Sequence, residues 1–184
     1  MTSGPNKLFI NHGGTVWRPV GGYSSLVWDK LITGSSVISV TTDGEVTLDG
    51  NAHGGYEFEF IISNISGSDR AYRIYMNNDT TNTNYFYRAI YNDGTILSHV
   101  EGNDALLESL STGYTLVSHG SICITPSGYI TLEWQESIIG TIMYLQSRNI
   151  IRNVADTNLT RIDIVASLIN GIGPNSRFRL WRRI

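Results

Sequence analysis

The sequence predicts an all-β fold, a jelly-roll-like β-sandwich of short antiparallel strands, and three observations lead to it. Charged residues make up only 16% of the 184-residue chain, and Ser, Thr, Asn and Gly take their place, which favours strands and turns over exposed helices. Alternation of apolar and polar residues recurs in several segments. Turn signals return about every 8–12 residues, the spacing typical of sandwiches and barrels.

The first 22 residues are broken repeatedly by glycine and proline and contain Trp17 and Pro19. They are predicted to form an extended N-terminal arm that buries its aromatics on something else, or a first strand of the domain's own sheet. Residues 23–184 are predicted to form a single β-sandwich domain, since the length suits one domain.

The remaining strands are predicted between turns, the clearest of which are Asp43-Gly44, Asn92-Asp93-Gly94 and Pro126-Ser127-Gly128. Asp43-Gly44 predicts a hairpin between residues 37–41 and 45–48. The other expected strands are 25–32, 56–63, 71–76, 85–92, 95–100, 114–119, 121–125, 129–135, one or two within 140–152, 161–169 and 177–181. Residues 56–63 alternate most cleanly, with aromatics on one face and glutamates on the other.

Two segments between these strands are open to more than one interpretation. Residues 101–113 allow a short helix capped by Asn103 or Asp104, or an irregular loop. The polar loop 77–84 first suggests a metal or sugar site, and its better interpretation is a structural connection between two strands of a sandwich.

The charge pattern argues against a general nucleic-acid binder, because the net charge is −3 and the pI about 5.7 whereas such proteins are normally basic. Four arginines nevertheless crowd the last eight positions. This basic row either protects an edge strand from pairing or contacts an acidic partner surface. The candidate partner-binding residues are Trp17, Arg18, Arg177, Arg179, Arg182 and Arg183.

The single cysteine, Cys123, excludes an intrachain disulfide. The N-terminus lacks a basic region followed by an apolar run, so no secretory signal peptide is predicted. No apolar stretch approaches the roughly 20 residues that span a bilayer. The expectation is a soluble protein made in a cytoplasm, with no membrane partner.

No motif predicts catalysis, a metal or a cofactor. No two of the four histidines have metal-ligand spacing, and no nucleophile elbow surrounds a serine. Cys123 lies between two isoleucines without an activating neighbour in the sequence. The carboxylate pairs Glu57/Glu59 and Glu133/Glu136 could suggest glycoside hydrolysis, but such pairs are expected by chance. The sequence therefore predicts a protein that is not an enzyme.

Three segments, in their order, resemble tailed-bacteriophage structural proteins. They are Gly-Gly-Tyr-Glu-Phe-Glu-Phe-Ile-Ile at 54–62, the 72–98 segment with Asn-Asn-Asp-Thr-Thr-Asn-Thr-Asn-Tyr-Phe-Tyr, and 162–184, a strand, a glycine turn and an arginine-rich final strand. The resemblance covers about residues 24–184 and leaves the first 22 outside. It implies a jelly-roll virion protein of the capsid cement or decoration type, often trimeric.

The expected function is therefore to bind a phage capsid from outside and stabilise it. The partner would be the major capsid protein or another virion protein, the oligomer a homotrimer and the location the virion, assembled in the host cytoplasm. The alternative is a tail or fibre module that binds host-surface glycans, with Tyr85, Tyr87 and Tyr91 as exposed aromatics that stack on sugar rings.

Overall fold

The computed structural model describes residues 9–10, 18–19, 23–92, 97–140 and 144–183. Residues from 23 onward form two antiparallel sheets packed around one hydrophobic core, and residues 9–10 and 18–19 form a small third sheet. The predicted fold class, an all-β sandwich, is confirmed.

Nearly all of the regular structure consists of strands. In chain order these are β1 (Phe9–Ile10), β2 (Arg18–Pro19), β3 (Tyr23–Leu31), β4 (Ser39–Thr41), β5 (Tyr56–Ser63), β6 (Arg70–Met76), β7 (Tyr85–Asn92), β8 (Leu97–Gly102), β9 (Leu106–Leu110), β10 (Thr115–Ile124), β11 (Ile130–Ile139), β12 (Tyr144–Arg152), β13 (Ile162–Ala166) and β14 (Arg177–Arg183). A helix of four residues, α1 (Gly50–His53), and a 3-10 turn (Asn82–Asn84) complete the described elements.

The two sheets differ in width. The large sheet has eight strands in the order β3-β14-β5-β10-β11-β12-β7-β8, and the small sheet has four in the order β4-β13-β6-β9. The chain passes back and forth between them, so most successive strands lie on opposite sides of the core. The large sheet therefore presents one face to the core and one broad face to solvent.

Alternation in β5 shows how the sequence builds the core. Tyr56, Phe58, Phe60 and Ile62 are buried, while the residues between them are only half-buried. Burial of each such side chain contributes about 1.5–3 kcal/mol. The strands predicted at 56–63 and 85–92 are confirmed with these bounds.

Gly120 shows why one predicted strand break is wrong. The sequence suggests two strands, 114–119 and 121–125, but β10 runs continuously through the glycine. A Cβ at Gly120 would lie 2.4 Å from the Cβ of Trp134 on the adjacent strand. The glycine makes room for a buried tryptophan, a use of glycine within strands where neighbours approach closely.

The predicted hairpin at Asp43-Gly44 is also wrong. A turn is present, with the carbonyl of Thr42 accepting from the N–H of Glu45 and of Val46 at 3.1 Å each, but residues 45–48 form no strand. The sheet partner of β4 is β13 instead. The chain after the turn leads to α1, whose first turn Asp49 caps by accepting from the N–H of Ala52.

The segment 101–113 contains β9, so neither the helix nor the irregular loop predicted there is right. Two consecutive buried residues, Leu107 and Glu108, interrupt the alternation, and the pairing with β6 shifts register nearby. This bulge hides the period-two signal of the strand.

The N-terminal segment has its own pairing. Phe9 lies opposite Pro19 and Ile10 opposite Arg18, in a two-stranded sheet separate from the two larger ones. The other residues of the predicted arm, Trp17 among them, lie outside the described residues, as do Asp93 and Gly94 of the predicted turn. The arm stays a prediction.

Candidate interaction surfaces

The arginine-rich last strand lies inside the large sheet, between β3 and β5. It is therefore not an edge strand, and the interpretation that its arginines protect an edge is wrong. Three of the arginines are instead paired with acids of the neighbouring strands, namely Arg177 with Asp29 at 2.6 Å, Arg179 with Glu59 at 2.7 Å and Arg183 with Glu57 at 2.6 Å. We call this set of pairs the outer ladder.

The outer ladder balances its own charge. The hydrogen bond from Arg177 holds the pKa of the Asp29 carboxyl below its ordinary value. Arg182 is exposed. The backbone of Arg18 lies opposite Ile10 where β1 pairs with β2. The role of these arginines in partner binding stays a prediction, and the basic row that the sequence suggests is largely matched by carboxylates of the chain itself.

Next to the ladder, the outer face of the large sheet carries open depressions. One of about 380 Å³ is lined by polar side chains, including Glu57, His119, Ser121, Glu133, Gln135 and Asn149. His119 Nε2 lies 3.2 Å from Glu59. Such hydroxyl, amide and carboxylate groups can exchange hydrogen bonds with a polar ligand.

Cys123 lies on the same outer face and is half-buried. Its Sγ lies 3.0 Å from Nη1 of Arg183. The local sequence offers no such cation, because the two residues are 60 positions apart and meet only through the order of the strands.

A charged cluster lies between the sheets, which sequence reasoning missed. Arg148 of β12 lies between two glutamates, with Nη2 2.5 Å from Glu108 Oε2 and Nε 2.5 Å from Glu136 Oε1. We call these three residues the buried triad. The second contact lacks hydrogen-bond geometry, so its attraction is mainly electrostatic. Trp134 donates its Nε1–H to the other oxygen of Glu136 at 2.7 Å.

The buried triad carries two carboxylates for one guanidinium. Burial, and then the nearby Glu108 carboxyl, raise the pKa of Glu136 well above its ordinary value. A protonated Glu136 beside an Arg148–Glu108 ion pair leaves the cluster neutral, which suits a dry interior. The three side chains are almost completely enclosed, so the cluster belongs to the interior and is not open to a ligand.

The polar loop 77–84 is held by ion pairs and hydrogen bonds to residues 152–160. Asp79 pairs with Arg152 at 3.1 Å, and Arg152 pairs with Asp156 at 3.0 Å. Asn77, at a φ of 55°, donates to Asp156 and accepts from the N–H of Thr160. These contacts agree with the interpretation of the loop as a structural connection.

Of the three tyrosines expected to be exposed for sugar stacking, one is buried and two are half-buried. Tyr85 is fully buried; its hydroxyl accepts from the N–H of Met76 at 2.9 Å and donates to the carbonyl of Asp79 at 2.7 Å. Burial raises the pKa of Tyr85 to about 12. Tyr87 and Tyr91 are half-buried. The expectation is therefore wrong for Tyr85, whose phenol braces the loop.

One end of the sandwich exposes aliphatic side chains. Ile169, Ile65 and Leu168, with 71%, 59% and 55% of their surface exposed, are the three most exposed large hydrophobic residues in the described part of the chain. Ile38, 44% exposed, joins them, because its carbonyl accepts from the N–H of Ala166 at 2.8 Å. Gly173 lies against the Ile65 side chain. We call Ile38, Ile65, Leu168 and Ile169 the apolar end.

Within the described ranges, no group of three or more His, Cys, Asp or Glu side chains could hold a metal ion. The same ranges contain no helix of the length and apolar character that crossing a membrane requires.

No protein-family model, no curated protein and no solved structure matches this chain. The resemblance to phage structural proteins therefore stays a prediction.

Proposed function

We propose that the protein is a non-enzymatic virion structural protein that binds and stabilises a phage capsid as a cement or decoration protein. The apolar end carries this proposal. Contiguous exposed apolar surface on a soluble protein commonly marks a site of interaction. Here four exposed aliphatic residues lie on neighbouring segments of a sandwich whose charged groups are mostly paired with one another.

The rest of the molecule suits such a role physically. A protein that reinforces a shell needs a rigid body, since ordering loops on binding costs free energy. The β-sandwich, its buried triad and the bonded 77–84 loop supply that rigidity. Binding to assembled subunits only would then stabilise the shell by mass action.

The direct test is co-sedimentation of the purified protein with virions stripped of it, followed by electron microscopy with a labelled copy. The proposal expects saturable binding to the capsid and a higher temperature of capsid disruption. Labelling of the tail alone, or no binding, would contradict it. Light scattering after size-exclusion chromatography tests the proposed homotrimer.

Two surfaces of this chain are candidates for the capsid contact, and two variants separate them. Deletion of residues 1–22 tests the N-terminal segment and should abolish binding if that segment is an arm. The double variant Leu168→Ser and Ile169→Ser tests the apolar end. Circular dichroism on both variants checks that the sandwich remains folded.

A second candidate function is glycan binding by a phage tail or fibre module. The polar depression around His119 and Gln135 favours it, because sugars are recognised through hydrogen bonds to such groups. A glycan array is the measurement, with Gln135→Ala as the site variant and Thr131→Ala, on the same strand β11 but outside that depression, as the control. Binding that the Gln135 change abolishes would favour this function over capsid binding.

A further inference from the structure

We propose that Arg70 and the apolar end together form a binding site for a carboxylate on a partner protein, an Asp or Glu side chain flanked by aliphatic residues. The inference rests on the proposed function in taking the occupant to be a protein, and it adds the chemistry of the contact. Neither the sequence motifs nor the arginines of the last strand point to this position.

Arg70 is buried and lacks an acidic partner. It is 9% exposed and begins β6, opposite Leu110. Its Nη1 donates to the hydroxyl of Ser68 and to the carbonyl of Asp69. Its Nε is enclosed and has no hydrogen-bond partner, and within the described chain no carboxylate reaches Arg70. A buried charge without a partner is costly. The enclosed Nε is closed to an outside group, but Nη2 has no hydrogen bond within the described chain and is not enclosed, so Nη2 is the nitrogen that an acceptor from outside can reach.

Other arginines of the chain show which acceptor fits a guanidinium. Arg73, three residues further along β6, binds Asp104 through Nε at 2.8 Å and Nη2 at 2.9 Å. Arg177 binds Asp29 through the same two nitrogens. Arg70 keeps the same two nitrogens without a partner in the described chain. Because Nε is enclosed, a carboxylate from outside would bind through Nη2, in a charge-assisted hydrogen bond.

The other buried arginines have their charge compensated within the chain. Arg148 and Arg152 each contact two carboxylates of the chain itself. Their charge is compensated when the protein is alone. Arg70 is the buried arginine of the described residues for which a partner has to supply the compensation.

The stem of the Arg70 side chain lies beside the chain segment that carries Leu168 and Ile169. The Cδ of Arg70 lies 3.5 Å from the point where a Cβ on Gly171 would stand, and that point is 3.1 Å from the carbonyl of Leu168. Ile65 lies against Gly173, two residues beyond Gly171. A partner that brings aliphatic side chains with its carboxylate would cover exposed surface and exclude water from the ion pair, which strengthens it.

The surroundings favour a protein over a free anion or a nucleic acid. A small anion would leave the aliphatic side chains exposed. A phosphate backbone is bound by several cations in a row, and Asp69 is the charged residue next to Arg70 in the sequence. A carboxylate in an aliphatic segment satisfies both the single cation and its apolar border.

The probe is a capped pentapeptide, Ser-Leu-Glu-Leu-Ser, and its Gln counterpart, each titrated into the ¹⁵N-labelled full chain. We expect shifts of the Arg70 Nε–H signal and of backbone signals in 65–70 and 167–173. The Gln peptide should bind about tenfold more weakly, since a charge-assisted bond is stronger than a neutral one. Equal binding of the two peptides, shifts elsewhere, or none at about millimolar peptide would overturn the proposal.

Variants separate a binding role of Arg70 from a structural one. Arg70→Gln should lose about tenfold in peptide affinity, and Arg70→Lys should recover part of it, since lysine keeps the charge without the guanidinium. Leu168→Ser with Ile169→Ser should weaken binding, while Ile139→Ser, an equally apolar exposed change on the large sheet, should not. If Arg70→Gln binds as wild type and stays folded, the inference is wrong.

Two further measurements keep this inference distinct from the proposed function and from membrane binding. If Arg70→Gln loses the peptide but still sediments with virions as wild type does, the inference fails for the capsid contact while the proposed function stands. Peptide binding without virion binding sinks the proposed function alone. Sedimentation of the wild type with phosphatidylglycerol vesicles, lost in Leu168→Ser with Ile169→Ser, would assign the apolar end to a lipid surface and overturn the inference.

Discussion

Two ionic networks lie on opposite faces of the large sheet, the buried triad inside and the outer ladder outside. Both join arginine to glutamate or aspartate at similar distances, 2.5 Å in the triad and 2.6–2.7 Å in the ladder. Their settings differ, because the triad is enclosed between sheets while the ladder side chains keep part of their surface in water.

Ion pairs of similar length in the two networks therefore need not contribute equally to stability. Water screens the ladder and solvates each partner if a pair breaks. In the interior, water cannot solvate the charges of the triad, so removing one member of its ion pair leaves an uncompensated charge. Arg70 differs from both networks, because it is buried like the triad but has no carboxylate of the described chain beside it.

The largest expected effect comes from breaking the triad at its cation. Arg148→Met leaves the Glu108 carboxylate buried without a counter-charge, and we expect the free energy of unfolding to fall by about 3–5 kcal/mol. Urea unfolding followed by fluorescence measures it. A loss below about 1 kcal/mol would place the triad with the ladder.

A combined variant tests whether this loss reflects the stranded acids rather than the missing side chain. Glu108→Leu, Arg148→Met and Glu136→Gln together remove both charges and keep an acceptor for Trp134. Because buried ion clusters are often replaceable by apolar groups, this protein should regain most of the stability lost in Arg148→Met.

Two adjacent asparagines allow a related contrast within one loop, between a hydrogen-bonded side chain and an exposed one. Asn77 and Asn78 both have positive φ, 55° and 61°, so glycine suits both backbones. The Asn77 side chain bonds to Asp156, Thr160 and the carbonyl of Asn158, whereas Asn78 is exposed. Asn77→Gly should cost about 2–3 kcal/mol and Asn78→Gly less than about 0.5 kcal/mol in thermal unfolding. Equal losses would show that the contacts of Asn77 contribute little.

Glu136 should make the stability of the protein depend on pH. Its pKa is raised in the folded protein, so above the ordinary value of about 4.3 the folded chain holds a proton that the unfolded chain releases. Stability should therefore fall as the pH rises through this window, by at most about 1.4 kcal/mol per pH unit. Glu136→Gln should remove this part of the slope, measured as the difference between the two proteins in urea from pH 4 to 8. Parallel profiles would mean that Glu136 is charged in the fold.

Sequence reasoning reaches the strands where alternation is regular and fails where tertiary structure overrides it. The period-two pattern places β5 and β7 at their observed bounds. The bulge in β9 and the close approach at Gly120 break that pattern for reasons that lie on neighbouring strands, so β9 is missed and β10 is divided. The turn at Asp43-Gly44 forms, but β13, about 120 residues further on, takes the place of the predicted hairpin partner.

The charged contacts are predictable only in part. Glu136 falls in phase with Leu132 and Trp134, and Arg148 in phase with Ile150, so a charge on an apolar face signals a buried pair. The identity of the partner is not readable, because Glu108 is 40 residues from Arg148. Likewise, the sequence shows a basic last strand but not the acids that the order of the sheet places beside it.

The smallest expected effect is in the outer ladder and completes the comparison. Arg179→Gln removes the contacts with Glu59 and Asp29, at 2.7 and 3.7 Å, while its partners keep access to water. We expect a loss below about 1 kcal/mol, which added salt should reduce further because it screens exposed pairs. The loss in Arg148→Met should change little with salt, since its charges are enclosed. If salt affects both variants alike, burial is not what distinguishes the two networks.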